Sequence, residues 1–471
     1  MPPIIARMSN FPAANQTAIK QTINKQELPT LYADRSFWGM TVTQFLGAFN
    51  DNLFKQLVLL LSIVTLADGS TVDRQGMATA IFSASFLVVT GFAGYLSDRL
   101  SKRGIIIACK VAEIVVMGLG AMAFYAYMQS ESLVPLLLVL FLMGAQSGFF
   151  GPAKYGILPE MLAEEDLPRA NGFFLMTTFI AIILGIAAAG ALLDIFPEKK
   201  WIGSIISIAI ATVGTISSLF VRKTPVANPG LELKVSSFLV PPDMIRLLRL
   251  DKPLLAALVV SSIFWMMANM VLLGLNSLGK VQFMASETQT SMLSAVVSLG
   301  IATGCVLGGL ISKGRIDFRL MHLGAIGLVV CLAIMAVPSA GDITQLVGPD
   351  GKLMRLPGFG ESAQWLGYFG SIGVLGAAGI FTGLFAVPLQ VFMQTRPPDD
   401  KKGRMIAVMN QANWIGIAIS GLLYKGAIVT IKSTQQPRSL IFLYIGLLML
   451  PIVLFYRPKN EPHPDSPKVS A

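Results

Sequence analysis

Apolar runs long enough to cross a bilayer recur almost end to end along this 471-residue chain, and they decide what it can fold into. Inside hydrocarbon every backbone donor and acceptor must be satisfied within the protein, so runs of this length form helices. Twelve of them are read, at about 37–66, 75–97, 104–128, 133–159, 168–193, 201–221, 254–279, 288–311, 320–338, 364–394, 404–430 and 439–456. The chain is therefore an all-α polytopic membrane protein. Only 13% of its residues are charged, against about a quarter in soluble domains, which excludes a soluble assembly of the same length. The net charge of +10 would suggest nucleic acid in a soluble protein, but here it lies in loops and is read as topology, with no nucleic acid as partner.

Residues 1–36 read as a cytoplasmic tail, 37–221 as a six-helix bundle, 222–252 as a cytoplasmic linker, 253–456 as a second six-helix bundle and 457–471 as a second cytoplasmic tail. The orientation comes from basic residues. Arg99, Lys102, Arg103, Arg222, Arg246, Arg249 and Lys401 fall on the side of the termini with many others, so both termini are expected in the cytoplasm. Within the linker, Met244 to Leu250 sets Ile245, Leu247 and Leu248 against Arg246 and Arg249, the pattern of an interfacial amphipathic helix; a plain connection fits as well. The loop before span ten, around Pro349, Asp350 and Gly351, alternates as a small hairpin does. The halves echo each other: Pro152 precedes Arg169 much as Pro388 precedes Arg404. Two similar halves suggest a transporter rocking about a central site, with chance similarity between apolar helices as the rival.

Several polar residues interrupt the apolar runs. Asn50, Asp51, Asn52 and Lys55 lie inside span one, where Asp51 and Lys55 share a face and can neutralise each other. An ionisable residue at such depth marks a substrate site or an ion pair that pins the helix. Asn269 occupies a similar place in span seven. Lys110 and Glu113 in span three form a second pair, read as packing. Cys109, Cys305 and Cys331 read as free packed thiols, and with His322 and His463 the only histidines there is no metal or cofactor set. No nucleophile motif stands out, so an enzyme is not expected.

Between spans two and three the chain reads GFAGYLSDRLSKRG. Gly91 and Gly94 allow close helix approach, while Asp98 among Arg99, Lys102 and Arg103 makes an ionic latch, or simply part of the basic inner charge. This segment resembles the loop signature of the major facilitator superfamily, whose fold has twelve helices in two six-helix bundles. The second-half counterpart, from Gly308, has Lys313 where the aspartate would stand.

The stretch from Gly148 to Gly172, GFFGPAKYGILPEMLAEEDLPRANG, closes span four on Lys154 and turns into an acidic loop. Pro152 with Gly151 and Gly156 leads us to expect an irregular helix end there. With AFNDN in span one and FAVPLQVFMQ in span ten, it is similar to the bacterial lysophospholipid transporter family. That resemblance implies inward flipping of lysophospholipid, chiefly lysophosphatidylethanolamine, across the inner membrane, and reacylation by a membrane-associated acyltransferase or acyl-ACP synthetase as partner. It makes Asp51 and Lys154 head-group residues and places Asn171 and Asn410 in the gate. Lys55, Asn50 and Asn269 complete the expected substrate set, and Gly94, Asp98, Arg99 and Arg103 the gating set. Asp51 lies about 21 Å along span one and Lys154 near the inner end of span four, which suggests successive contacts with the head group. The face of Gly185, Ala188, Ala189 and Gly190 in span five is expected to offer the acyl chain a lateral gap. One departure stands in span seven, where family members carry a basic residue and this chain has Leu272. A proton-linked exporter of drugs or metabolites, with Asp51 as proton carrier, is the alternative on the same fold.

Overall fold

The computed structural model describes residues 29–66, 70–163, 166–224, 242–312, 318–337, 365–398 and 402–458. Twelve helices of sixteen residues or more lie among them. In the first half these are α1 Arg35–Leu61, α2 Gln75–Arg99, α3 Lys102–Ser130, α4 Val134–Gly156, α5 Leu167–Ile195 and α6 Ile202–Ser218. In the second they are α7 Lys252–Ser277, α8 Glu287–Ser312, α9 Phe318–Ala336, α10 Gly367–Thr395, α11 Lys402–Ser433 and α12 Leu440–Phe455. Nine are long and apolar enough to cross a membrane; α6 and α12 are apolar but shorter, and α1 carries the polar run from Asn50 to Lys55.

The helix positions follow the apolar runs to within a few residues, with one exception. Span one ends early, at Leu61, where Ser62 Oγ donates to the Val58 carbonyl. The β-branched run Ile63–Thr65 then pairs antiparallel with Thr71–Asp73, and we call these strands β1 and β2. To a hydropathy reading Ile63 and Val64 extend a helix, but their branched side chains suit a strand. The hairpin expected near Pro349 lies outside the described residues, as does most of the linker. Pro152 does not disorder α4, which continues through it to Gly156. One lost backbone bond is tolerated where neighbouring helices hold the turn.

Small residues bring the helices together in matching places of the two halves. A Cβ on Gly144 would lie 2.1 Å from Ser85 Oγ, and one on Gly148 would lie 2.4 Å from Val89 Cγ2, so α4 packs hard on α2. The second half repeats this between α8 and α10, where a Cβ on Gly304 would lie 2.1 Å from the Ile380 carbonyl oxygen. The bundles meet along α2 with α11 and α5 with α8. Gly185 and Gly190 are spent on such approaches, with virtual Cβ atoms 2.5 Å from Phe49 O and 2.3 Å from Glu287 O. The expected lateral gap along α5 is thus a packed seam. In the linker, Pro242–Leu250 is helical, but its orientation differs from the expected one. Met244 and Leu248 are buried on the protein, while Ile245 is turned outward with Arg246 and Arg249.

Polar contacts between the bundles gather on the face that carries β1 and β2. There Gln56 Nε2 donates to Asn276 Oδ1 at 2.9 Å, Asn276 Nδ2 to Gln75 Oε1 at 2.8 Å, and Tyr424 OH to Asp73 Oδ2 at 2.8 Å. Asp194 of α5 accepts from the backbone N–H groups of Glu287 and Thr288 at 3.0 and 2.8 Å, and so caps the start of α8 in the other bundle. Lys280 bridges Glu287 and the Leu60 carbonyl. On the opposite face, which bears the helix ends nearest both termini, the described ion pairs Lys102–Glu160, Arg222–Asp34 and Arg396–Asp251 each stay within one half. The bundles are tied across the hairpin face, and the described ion pairs of the terminal face do not cross between them.

Candidate functional site

Between the bundles lies a cavity of about 430 Å³, within the usual range of ligand pockets. Its charged lining residues, Asp51 and Lys55, both come from the first half, beside Phe82, Phe86, Phe179 and Ile182. Asp51 reaches it from α1 and accepts a hydrogen bond from Ser147 Oγ of α4 at 2.7 Å. Lys55, one turn further along α1, does not close the expected ion pair with Asp51. Its ammonium sits 5.4 Å from the centroid of Phe82 on α2, where the ring face takes up part of the charge.

Lys154 is buried near the terminal-face end of α4, with its ammonium 4.9 Å from the Tyr155 ring. It is not among the residues lining the cavity. Asp51 and Lys55 thus face the cavity, while Lys154 lies two turns beyond Ser147 on α4 without a direct contact to Asp51 among the described residues.

The other expected residues divide. Asn269 lines the second-half wall and donates to Ser420 Oγ at 2.9 Å. Asn50 is fully buried and faces the bundle interior, donating to Glu113 Oε1 at 2.8 Å and the Ser207 carbonyl at 3.2 Å. It is a packing residue, because successive residues on a helix point about 100° apart and Asp51 takes the cavity side. Lys110 and Glu113 pair beside Asn50, almost wholly buried, as the packing reading of span three has it. The second-half wall is mostly apolar, with Phe264, Met267, Leu272, Val297 and Leu375, and its polar members, among them Asn269, are uncharged.

Three further cavity features carry no sequence signal strong enough to single them out. Ser147 lies two helical turns from Lys154 on α4, a spacing that puts both on one face. Phe82 receives Lys55. Trp414 of α11 stacks on Phe86 of α2, ring centroids 3.8 Å apart, and joins the bundles at mid-depth.

The expected gating set is placed as follows. A Cβ on Gly94 would meet nothing within 4 Å, so Gly94 makes no close approach here. Arg99 lies against Tyr95, and Arg103 Nη2 donates to the Leu219 carbonyl at 3.0 Å, both within the first half. The end of α2 stands on the terminal face. The side chains of Asp98 and Asn171 lie outside the described residues, and Asn410 is exposed on α11. Gln56, Gln75, Asn276 and Asp194, which hold the opposite face, were not singled out by the sequence reading.

The family model of the Major Facilitator Superfamily matches residues 38–421. Curated relatives include the lysophospholipid transporter LplT of Salmonella heidelberg (strain SL476) and that of Salmonella typhi. Each is 30% identical over 207 residues, covering 42% of this chain and 46% of the relative. The match thus spans less than half of these relatives' length. Among solved structures, a POT family transporter in complex with 5-aminolevulinic acid superposes with TM-score 0.64 at 13% identity, over 90% of this chain and 95% of that one. A bacterial homologue of the iron transporter ferroportin in an inward-facing state gives 0.60 at 14% identity, over 91% and 100%. At such identities the likeness concerns the fold.

Proposed function

The chain belongs to the major facilitator superfamily, and from that membership we propose an alternating-access transporter that carries lysophospholipid from the outer to the inner leaflet of the cytoplasmic membrane. The observation that carries the reading is a largely apolar cavity whose charged lining residues, Asp51 and Lys55, both come from α1. A lysophosphatidylethanolamine offers a phosphate to Lys55 and Lys154, an ammonium to Asp51, and one acyl chain to the Phe264, Leu272 and Leu375 side. The partial likeness to lysophospholipid transporters points the same way.

The terminal face is assigned to the cytoplasm by its excess of basic residues, which makes the state described here inward-open. Substrate is loaded at the hairpin face when that face opens and released at the terminal face. A membrane-associated acyltransferase or acyl-ACP synthetase on the cytoplasmic side then reacylates it. No step in this cycle asks the transporter for bond chemistry.

A second reading, a proton-coupled exporter of drugs or metabolites, is favoured by one observation: Asp51 is a cavity carboxylate bonded to a neutral hydroxyl with no ion-pair partner within 4 Å among the described residues. Purified protein in vesicles separates the two. The lipid reading expects saturable uptake of labelled lysophosphatidylethanolamine with no uptake of a long-chain alcohol that lacks the head group. Expulsion of a soluble compound that follows the proton gradient and is lost in Asp51→Asn would establish the exporter instead.

A further inference from the structure

The hairpin is clamped by cations. Arg438, in the short connection between α11 and α12, is 6% exposed, and its Nη2 donates to Thr71 Oγ1 at 2.6 Å. Lys432, at the end of α11, donates from Nζ to the Thr71 carbonyl. Beside them Asp73 accepts from Tyr424 OH at 2.8 Å and feels the Arg438 charge. Arg438 Nη1 is buried and faces no acceptor. A guanidinium offers five donors in a rigid fork, so a site that uses one arm and buries the other unpaired is incomplete.

Two cations from the second bundle thus converge on the oxygens of one threonine in the first. A carbonyl and a hydroxyl are weak acceptors for such a pair, while a phosphate provides charged oxygens at similar spacing and binds guanidinium through two bonds at once. Opening of the hairpin face must carry Thr71 away from Arg438 and Lys432, since they lie on opposite bundles. Arg438 then joins the already exposed Lys432 in being accessible on the hairpin face.

We propose that Arg438 and Lys432 are a capture site for the phosphate of an incoming lysolipid head group, and that the β1–β2 hairpin occupies this site as an internal stand-in while the face is closed. This rests on the lysophospholipid reading above. The hairpin and the substrate compete for the same two cations. Displacement of Thr71 by phosphate therefore couples substrate arrival to opening of the face, because the ligand binds one state and not the other.

Competition has a signature that a plain latch lacks. Removing a cation weakens substrate capture, whereas removing the stand-in strengthens it. The test is uptake of labelled lysophosphatidylethanolamine, presented to the hairpin face of vesicles holding the full chain, by wild type, Arg438→Gln, Lys432→Gln and Thr71→Ala. The expected result is a half-saturating concentration raised about tenfold in Arg438→Gln, the equivalent of about 1.4 kcal/mol, restored in part by Arg438→Lys, and lowered in Thr71→Ala. Lys432 is exposed, so Lys432→Gln gives a reading even if Arg438→Gln fails to fold. Shifts of one sign in all variants, or none in Lys432→Gln and Thr71→Ala, would reduce the contact to a latch and overturn the site alone. A wild-type protein that carries no lysophosphatidylethanolamine would overturn the lipid reading and this site with it.

Discussion

Asn50 and Asp51 are neighbours on α1 that serve different masters, one the interior of the first bundle and the other the cavity. The interior set, Lys110, Glu113 and Asn50, is a buried ion pair with a polar strut. Lys110→Ala leaves Glu113 charged and unpaired, and should cost about 3–5 kcal/mol. A lowered melting temperature in detergent checks this, and the double variant Lys110→Met with Glu113→Leu should recover most of the loss; equal melting in wild type and Lys110→Ala would contradict it. At the hairpin, burial raises the Asp73 carboxyl above its ordinary pKa. The closed face then binds more protons than the released hairpin, so its stability is greatest at low pH and falls as pH rises through the shifted value. Protection factors of β1 and β2, taken against the intrinsic exchange rate at each pH, should accordingly fall as pH rises through the Asp73 titration, and Asp73→Asn should flatten that trend. What the sequence shows at this scale is cost: a charge inside an apolar run is conspicuous, which picks out Asp51, Lys55, Lys110, Glu113 and Lys154. It does not show orientation, so Asn50 and Asp51 look alike until α3 and α6 are in place. Ser147 and Trp414 stay hidden because neutral hydroxyls and aromatic rings are cheap in such helices.

Helices are the scale at which hydropathy speaks most clearly, and here each of the twelve apolar runs corresponds to a helix. The miss is the end of α1, where Ile63 to Thr65 is apolar enough to continue a span and branched enough to leave it. Hydropathy averages over about a helix length, and a three-residue strand is below what it can resolve. Glycines in the apolar runs mark close approach, but only packing tells which. Gly304 faces a backbone carbonyl that cannot turn aside, while Gly94 faces open space. Gly304→Val should therefore part α8 from α10, at about 1–3 kcal/mol or more, and lower the yield of folded protein. Gly94→Ala should leave the melting temperature of this state unchanged. Comparable losses in the two variants would refute the packing argument.

The whole molecule is asymmetric in its closure. Gln56, Gln75, Asn276, Asp73, Tyr424 and Asp194 tie the bundles on the hairpin face, and the terminal face has its described ion pairs within each half. Because every tie must break once per cycle, polar contacts that water can replace suit a gate better than apolar ones. Asp194→Ala uncaps α8 and removes bonds to a charged acceptor, at about 1.5–3 kcal/mol, which shifts the balance toward hairpin-face opening. Cys305 lines the cavity while Cys109 and Cys331 are buried, so it reports that shift directly. A membrane-impermeant thiol reagent on the hairpin face should label Cys305 at least several-fold faster in Asp194→Ala, and an unchanged rate would remove Asp194 from the gate. The central claim is that Asp51 and Lys55 on the cavity wall, with Lys154 behind them on α4, handle a lysolipid head group during inward flipping. The measurement closest to it is uptake of labelled lysophosphatidylethanolamine by cells without a transporter of their own, supplied with wild type, Asp51→Ala or Lys154→Ala at matched levels of folded protein. The account predicts uptake by wild type and its loss in both variants; uptake that persists in both, or is absent from wild type, would contradict it.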